Sequence, residues 1–146
     1  MNQDTGCPEL MFDNQICFPL YSAANAVVRA YRPLLDELDL TYLQYMVMML
    51  LWQHQSMSVK ALGEKLNLDS GTLTPLLKRL EGKGLVVRGR SQQDERVRVI
   101  TLTGEGKGLK ERAKEVPHAM ACRAGLAPEE AAQLKSLCQQ LLSRLG

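Results

Sequence analysis

The stretch SVKALGEKLNLDSGTLTPLLKRLEGKGLVVRGRSQQDERVRVITLT, residues 58–103, decides the fold. Ser58, its first residue, is suited to cap a helix, and the apolar residues that follow have helical spacing. The chain is then predicted to turn at residues 67–68. Asp69 or Ser70 can cap a second helix. Leucines recur at positions i, i+3, i+4 and i+7 of that helix and form its inward face: Leu73, Leu76, Leu77 and Leu80. The pattern therefore predicts two short helices joined by a tight turn.

Two strand-like segments follow this pair of helices. Residues 85–90 and 97–102 are rich in β-branched side chains, and the polar segment 91–96 separates them. This pattern predicts a β-hairpin with a charged tip. Helix, turn, helix and hairpin is the order of a winged-helix domain, in which the second helix enters the major groove of DNA and the hairpin, or wing, reaches an adjacent groove.

The outer face of the second helix combines small, hydroxyl and basic side chains, and arginines dominate the hairpin. Such side chains hydrogen-bond to phosphates, and arginine suits a narrow minor groove. A winged helix can also be a protein-interaction module, and this alternative stays open. The candidate contacts to double-stranded DNA are Ser70, Thr72, Thr74, Pro75, Lys78, Arg79, Arg88, Arg90, Asp94, Arg96 and Arg98.

Charge is distributed unevenly along the chain. The net charge is only +2, but residues 56–103 carry nine Lys and Arg against five Asp and Glu, while the remainder carries nine against eleven. A basic middle with mildly acidic flanks is expected of a module that contacts phosphates. An ordinary mixed-charge surface would give the same balance.

Length and composition indicate one domain over residues 1–146, with 45% hydrophobic residues to form a core. Residues 1–6 lack a basic secretion-signal region, and the longest apolar run, residues 45–52, is too short to cross a bilayer. We therefore expect a cytoplasmic protein with no membrane partner. Because the four cysteines form no CxxC pair, no metal site and no cofactor are predicted.

Helical patterns precede the winged-helix stretch. A first helix is predicted over residues 17–38, with a bend at Pro33. Thr41 can cap a second helix that runs to His54. Its segment 45–52 is apolar on every face, so we expect this helix to be buried all round.

Helical patterns also follow the wing. A fifth helix is predicted from Thr103 past Pro117, and a last one begins at Pro128. Their apolar faces, with that of the first helix, exceed what one winged domain can cover, so we expect an isologous homodimer that presents two recognition helices to a pseudo-palindromic operator. The fold class is mainly α with a small β-wing. Its expected parts are a winged helix-turn-helix at residues 41–103 and a helical dimerisation region at residues 10–40 and 104–146.

The sequence resembles the MarR family of transcription regulators in two places. DERVRVITLT, residues 94–103, is similar to the wing signature of that family. LGEKL at residues 62–66 and LDSGTLTPLLKRLE at residues 68–81 resemble its helix-turn-helix. The resemblance covers nearly the whole chain, and it implies that Asp94 positions Arg96, which enters the minor groove.

Within that family, the chain resembles the regulators of organic hydroperoxide resistance. NQICFPLY, residues 14–21, is similar to the segment that carries their reactive cysteine, which implies that Cys17 is peroxidatic. Tyr31 and Tyr42 fall where those regulators place two tyrosines that hydrogen-bond the reactive sulfur. Cys122 falls at the resolving thiol of the two-cysteine subgroup, which implies a Cys17–Cys122 disulfide. Because Cys122 follows Pro117 near the end of a helix that we expect to cross the dimer interface, we expect this disulfide to join two subunits.

The chemistry of Cys17 agrees with this resemblance. Pro19 suits a first helical turn, so Cys17 lies at a predicted helix N-terminus, where the helix dipole favours the thiolate. A thiolate attacks the peroxide O–O bond to give a sulfenic acid, which a second thiol converts to a disulfide. The inducer would be an organic hydroperoxide, and a thiol reductant would reset the protein. The expected apolar peroxide pocket consists of Phe12, Phe18, Met46 and Met49.

Other interpretations remain open. Cys17 could be a buried small hydrophobe, and the two tyrosines could be core residues. His118 could help to ionise the thiol of Cys122, although the sequence favours an ordinary surface residue. Cys138 is expected to be structural and Cys7 incidental. A thiol peroxidase and a MarR-type repressor with a non-covalent ligand are the alternative functions; a repressor that is not an enzyme is favoured, because no enzyme needs the basic wing.

Overall fold

The computed structural model describes residues 6–146. The prediction that residues 1–6 lack a basic secretion-signal region therefore lies mostly outside the described residues. It confirms a mainly helical fold with a small β-wing. Within residues 6–146, no helix is long and apolar enough to span a membrane. In chain order, the elements are α1 (Cys17–Asp36), α2 (Tyr42–His54), β1 (Ser56–Ser58), α3 (Val59–Leu66), α4 (Ser70–Gly82), β2 (Val86–Arg90), β3 (Arg98–Leu102), α5 (Gly104–Ala113), α6 (Glu115–Ala124) and α7 (Pro128–Leu145).

Helix α2 is the centre of the protomer. The Thr41 side chain accepts a hydrogen bond from the backbone N–H of Gln44, so Thr41 caps the helix as predicted. The Gln44 side chain accepts one in return from the backbone N–H of Thr41, which completes a capping box. Val47 and Leu51 are fully buried. The prediction of burial all round is wrong at Met49, which is 42% exposed, because no other element within residues 6–146 covers that face.

The helix-turn-helix forms as predicted. Ser58 caps α3 by accepting a hydrogen bond from the backbone N–H of Ala61, and Asp69 caps α4 through that of Thr72. Asn67 takes a left-handed conformation, with φ 55°, and reverses the chain between the two helices. The inward face of α4 is buried at Leu73, Leu76, Leu77 and Leu80.

The wing is part of a three-stranded antiparallel sheet in the order β1-β3-β2. Met57 of β1 and Arg88 of β2 lie opposite Ile100, which is fully buried. The sequence analysis missed β1, because three residues are too short to show alternation. The strand exists through its pairing with β3, where the Ser56 and Thr101 hydroxyls lie 2.9 Å apart.

The prediction of one continuous fifth helix past Pro117 is wrong, because the structure has two helices, α5 and α6, with a break at Lys114. Pro117 has no N–H to donate to the carbonyl of Ala113, four residues earlier, and its ring crowds that carbonyl. Helical hydrogen bonding is therefore interrupted between α5 and α6, although Lys114 keeps helical dihedral angles.

Helix α5 lies so close to the end of β2 that only glycine fits at its point of contact. A Cβ added to Gly106 would lie 2.1 Å from the backbone oxygen of Leu85 and 3.0 Å from Leu102 Cδ2. The Gly106 carbonyl also accepts a 2.8 Å hydrogen bond from Trp52 Nε1. Any side chain at this position would force α5 away from the sheet and from α2.

We therefore expect Gly106→Ala to lower the free energy of unfolding by about 2–3 kcal/mol, the cost of overpacking against rigid backbone. Gly108→Ala is the matched control on the same helix, because nothing lies within 4 Å of its added Cβ. That change should be neutral or stabilise by about 0.5–1 kcal/mol. Urea unfolding followed by circular dichroism measures both variants, and equal midpoints would contradict the packing described above.

Candidate nucleic-acid interface and cysteine site

The outer face of α4 presents the predicted DNA contacts to solvent. Because the four leucines of the helix turn inward, the opposite face is left free for polar and basic groups. Thr74 is half-buried where α4 meets the wing. The exposed predicted residues of this helix are Ser70, Thr72, Pro75, Lys78 and Arg79.

A groove with a volume of about 410 Å³ lies between α4 and the wing, and we call it the basic groove. Thr74 and Lys78 line it from α4, and Arg88, Arg90 and Arg98 line it from the wing. Of the nine described residues that line it, none is acidic. Positive charge concentrated on a concave surface attracts phosphate, so the basic groove suits the backbone of a nucleic acid.

Two hydrogen-bonded arginines hold the wing in place. The Glu81 carboxylate accepts hydrogen bonds from the backbone N–H of Arg88 at 3.2 Å and from its Nε at 3.0 Å. These bonds keep the pKa of Glu81 below its ordinary value. Arg90 Nη1 donates to the carbonyl of Glu95 at 3.1 Å. The two bonds between Arg88 and Glu81 fix β2 to the end of α4, and the bond from Arg90 to Glu95 fixes the hairpin loop.

At the tip of the wing, the Asp94 carboxylate orients Arg96. Asp94 Oδ1 accepts hydrogen bonds from Arg96 Nε at 3.1 Å and from its backbone N–H at 3.0 Å, and Oδ2 accepts one from Nη2 at 3.3 Å. These bonds hold the pKa of Asp94 below its ordinary value, so the carboxylate stays ionised. The Arg96 side chain is 91% exposed. The expectation that Asp94 positions Arg96 is confirmed, and the minor-groove contact stays a prediction.

Cys17 is the first residue of α1 and is exposed, so it is not a buried small hydrophobe in the protomer. The rings of Phe12 and Phe18 pack beside this helix start, with centroids 4.7 Å apart. Both are exposed, at 63% and 48%. The predicted pocket residues on α2 are the half-buried Met46 and the exposed Met49. One protomer therefore does not enclose the predicted peroxide pocket.

Tyr31 and Tyr42 lie together, with ring centroids 5.3 Å apart, and Tyr45 contacts Tyr31 at 5.8 Å. Burial, and to a lesser degree the neighbouring Tyr42, raises the pKa of Tyr31, so its hydroxyl stays a proton donor. Tyr31 follows Cys17 by fourteen residues on the same helix, a separation of roughly 21 Å at 1.5 Å per residue. The two tyrosines therefore lie together but far from Cys17 of the same protomer, and their hydrogen bonds to the reactive sulfur stay a prediction.

Cys122 is exposed on α6, and its Sγ lies 3.6 Å from Nε2 of His118, one helical turn earlier. The sequence analysis favoured a plain surface position for His118; the residue is exposed, and it also contacts the thiol. Cys7 Sγ donates to the Glu9 carboxylate at 3.2 Å. Cys138 was expected to pack along an apolar stripe of the last helix, but it is exposed, and none of the α7 residues is buried in the described protomer.

Helix α6 lies against the middle of α1, far from Cys17. Arg123 and Ala124 share a groove with the α1 segment that runs from Ala26 to Ala30. That segment begins nine residues after Cys17, which places it roughly 14 Å or more along the helix axis. The two sulfurs of one protomer are therefore not neighbours.

The sequence analysis missed a polar link between the end of α4 and the turn that joins α1 to α2. Lys83, at the C-terminal end of α4, donates to the backbone carbonyl of Asp39 and, at 2.9 Å, to Gln44 Oε1. Asp39 lies in the turn between α1 and α2, with φ 54°. Two signals could have found the link: the Thr41–Gln44 capping-box pattern and an aspartate in a turn. The link ties the recognition helix to the end of α1.

Comparison with known proteins shows that this chain is similar to one protein family and to individual transcriptional regulators. Residues 29–113 match the family model described as transcriptional regulator SarA/Rot. The chain is 46% identical over 136 residues to the organic hydroperoxide resistance transcriptional regulator of Bacillus subtilis. This match covers 93% of this chain and 92% of that protein.

Two solved structures of AbfR, a protein of Staphylococcus epidermidis, are also similar to this chain. The overoxidized AbfR bound to DNA has a TM-score of 0.77 at 34% identity and covers 95% of this chain and 98% of AbfR. The disulfide-formed AbfR has a TM-score of 0.65 at 33% identity and covers 92% and 95%.

Proposed function

Because this chain belongs to the SarA/Rot type of MarR-family winged-helix transcriptional regulators, we propose that it is a cytoplasmic DNA-binding repressor that organic hydroperoxides inactivate by oxidising Cys17. One observation carries the proposal: Cys17 is an exposed, free thiol at the first turn of α1, in a chain 46% identical to an organic hydroperoxide resistance regulator. The matched family and relatives are regulators and not enzymes, which disfavours a thiol peroxidase.

The repressor binds DNA as a homodimer, with residues 10–40 and 104–146 forming the dimerisation part. Helices α1 and α7 support this proposal, because several apolar side chains of α1, such as Val27 and Val28, and those of α7 are exposed in the described protomer. On α7, Leu134, Leu137 and Leu142 are each more than 50% exposed. Faces of this kind mark an interface between protein chains, and a twofold dimer would bury them against a second copy.

The dimer reads a pseudo-palindromic operator with its two α4 helices in successive major grooves. The basic groove holds the phosphate backbone between α4 and the wing, and Arg96 enters the minor groove at the wing tip. The exposed position of Arg96 and its orientation by Asp94 support this placement.

Removing the wing-tip cation therefore tests the interface. We expect Arg96→Ala to weaken operator binding by about 1–3 kcal/mol and to lower the slope of log K against log salt by about one. Fluorescence anisotropy of a labelled operator duplex at several salt concentrations measures both quantities. Lys110→Ala removes an exposed cation from α5 and is the matched control, expected to bind normally. An unchanged affinity of Arg96→Ala would remove Arg96 from the interface.

The reaction site is assembled between subunits in this proposal. Within one protomer the tyrosine pair lies roughly 21 Å from Cys17, far beyond hydrogen-bond length. Tyr31 and Tyr42 therefore act on Cys17 of the other subunit, where the protonated hydroxyl of Tyr31 donates to the thiolate or to the peroxide oxygen. A pocket that Phe12, Phe18, Met46 and Met49 complete across the dimer would hold the organic part of the peroxide.

The disulfide with Cys122 is likewise intersubunit. Disulfides need Cα atoms roughly 4.4–6.8 Å apart, whereas the α6 end of a protomer lies against α1 roughly 14 Å or more from Cys17. Formation of the bond would draw α6 of one subunit to α1 of the other. The link between Lys83 and Asp39 would pass a shift of α1 to α4 and change the spacing of the two recognition helices.

Operator binding before and after oxidation tests the proposed function. Wild-type protein is titrated with operator, treated with one equivalent of cumene hydroperoxide per subunit, titrated again, and then reduced with dithiothreitol. We expect loss of binding on oxidation and its recovery on reduction. Binding that persists after complete consumption of the peroxide would reject the redox part and leave the DNA-binding part standing.

A non-covalent ligand is the second candidate trigger. One observation favours it: a mostly apolar cavity of about 590 Å³ lies between α1, α2 and α4, and its charged lining residues in the described part of the chain are Arg32, Arg79 and the single acid Asp36. An anionic ligand there would contact the recognition helix directly. Release of the operator by such a ligand, in a variant that lacks all four cysteines, would identify this mechanism.

A further inference from the structure

His118 contacts Cys122, and the proposed function gives this contact no role. Both lie on the exposed side of α6, four residues apart, so one helical turn places their side chains together. Sγ lies 3.6 Å from Nε2, and Cys122 is a free thiol. A neutral imidazole protonated at Nδ1 offers an Nε2 lone pair, which can accept the S–H proton.

We propose that His118 is the general base of disulfide formation at Cys122, an inference that rests on the proposed function. Nε2 takes the proton of the Cys122 thiol and leaves a thiolate beside an imidazolium. The thiolate attacks the sulfur of the Cys17 sulfenic acid, the S–S bond forms, and the S–O bond breaks. The departing hydroxide takes the proton from the imidazolium and leaves as water. The organic hydroperoxide that made the sulfenic acid is the oxidant, and its alcohol is the reduced product.

The charged groups around the pair are compatible with this transfer. From α1, Arg29 faces the α6 groove, and α6 itself contributes Arg123 to the same groove. Glu115 precedes His118 by three residues, so it lies about one turn away on the same side of α6. Charged side chains of both signs therefore lie along this part of α6, where the transfer creates one charge of each sign.

This base matters because two reactions compete for the sulfenic acid. A second peroxide drives it to sulfinic acid irreversibly, whereas a thiolate converts it to a reversible disulfide. An unassisted thiol is only a few per cent ionised at neutral pH. A base in contact with Cys122 makes the Cys122 thiolate more readily available. The Cys17 sulfenic acid is then converted to the disulfide sooner, and less of it is overoxidised.

The test compares His118→Asn with wild type, using His54→Asn, the other exposed histidine, as the matched control. Full-length reduced protein receives one equivalent of cumene hydroperoxide, and samples are quenched and analysed by mass spectrometry. In His118→Asn we expect unchanged sulfenic acid formation at Cys17 and disulfide formation slowed about tenfold at pH 7, because few unassisted thiols are ionised. The deficit should vanish near pH 9.5, where the thiol ionises without a base. Equal rates at pH 7, or a deficit that is the same at every pH, would overturn the proposal.

A second measurement separates this inference from the proposed function. In a Cys7→Ser, Cys17→Ser, Cys138→Ser background, iodoacetamide alkylates Cys122 without any peroxide. We expect His118→Asn to slow this alkylation about tenfold at pH 7 and not at pH 9.5. If alkylation slows but wild type forms no disulfide, the pair is real and the resolving role fails. If the disulfide forms and neither rate depends on His118, the resolving role stands and the base does not.

Discussion

Serine in place of Cys17 should leave operator binding unchanged and abolish release by organic hydroperoxide. A hydroxyl is nearly the same size as a thiol but does not attack a peroxide under these conditions, because the nucleophile must be a thiolate. Cys17 is exposed at the first turn of α1, so its sulfur contributes little packing energy to the protomer. The groups proposed to contact DNA lie on α4 and the wing and are untouched.

Anisotropy of a labelled operator, recorded while cumene hydroperoxide is added, measures this effect. Wild type should be released fully near one equivalent per subunit, and Cys17→Ser should stay bound throughout. Cys7→Ser and Cys138→Ser are matched controls, because each removes one exposed thiol and should leave release intact. A Cys17→Ser protein that releases DNA with the wild-type dose dependence would place the sensor elsewhere.

Peroxide should convert the wild type into a covalent dimer on a non-reducing gel, whereas Cys122→Ser should run entirely as a monomer. In the variant, the Cys17 sulfenic acid has no resolving thiol and is exposed to further peroxide. Mass spectrometry should then find sulfinic or sulfonic acid at Cys17 under conditions that leave the wild type as a reducible disulfide. Recovery of operator binding with dithiothreitol should fail in the variant for the same reason.

Other products would change the assignment. A Cys17–Cys122 disulfide inside a monomer band would show that the bond forms within one subunit, which requires α1 and α6 to separate. A bond from Cys17 to Cys7 or Cys138 would remove the resolving role from Cys122, and the inference about His118 would fall with it. Cys138→Ser is the control that keeps both proposed partners and should dimerise normally.

Features determined by neighbours along the chain could be predicted from the sequence. The caps at Ser58 and Asp69, the left-handed turn at Asn67 and the pairing of Asp94 with Arg96 all join groups two to four residues apart. The inward leucines of α4 follow from helical periodicity alone. Local hydrogen bonds and a regular period are written in the sequence, so the winged helix and its exposed basic face were predictable.

Features that depend on contacts between distant segments were not. Strand β1 forms only because β3 pairs with it, Gly106 is required only because α5 meets Leu85, and Met49 is exposed only because no described element of the protomer covers it. The predicted first helix already contained both Cys17 and Tyr31, fourteen residues apart, but the sequence could not say that Tyr31 packs against Tyr42 and Tyr45 of the next helix. Such contacts are set when helices pack against one another, because packing joins residues that no local period relates. Only the tertiary structure therefore decides which side chains surround the two tyrosines and which apolar faces of the described protomer stay exposed.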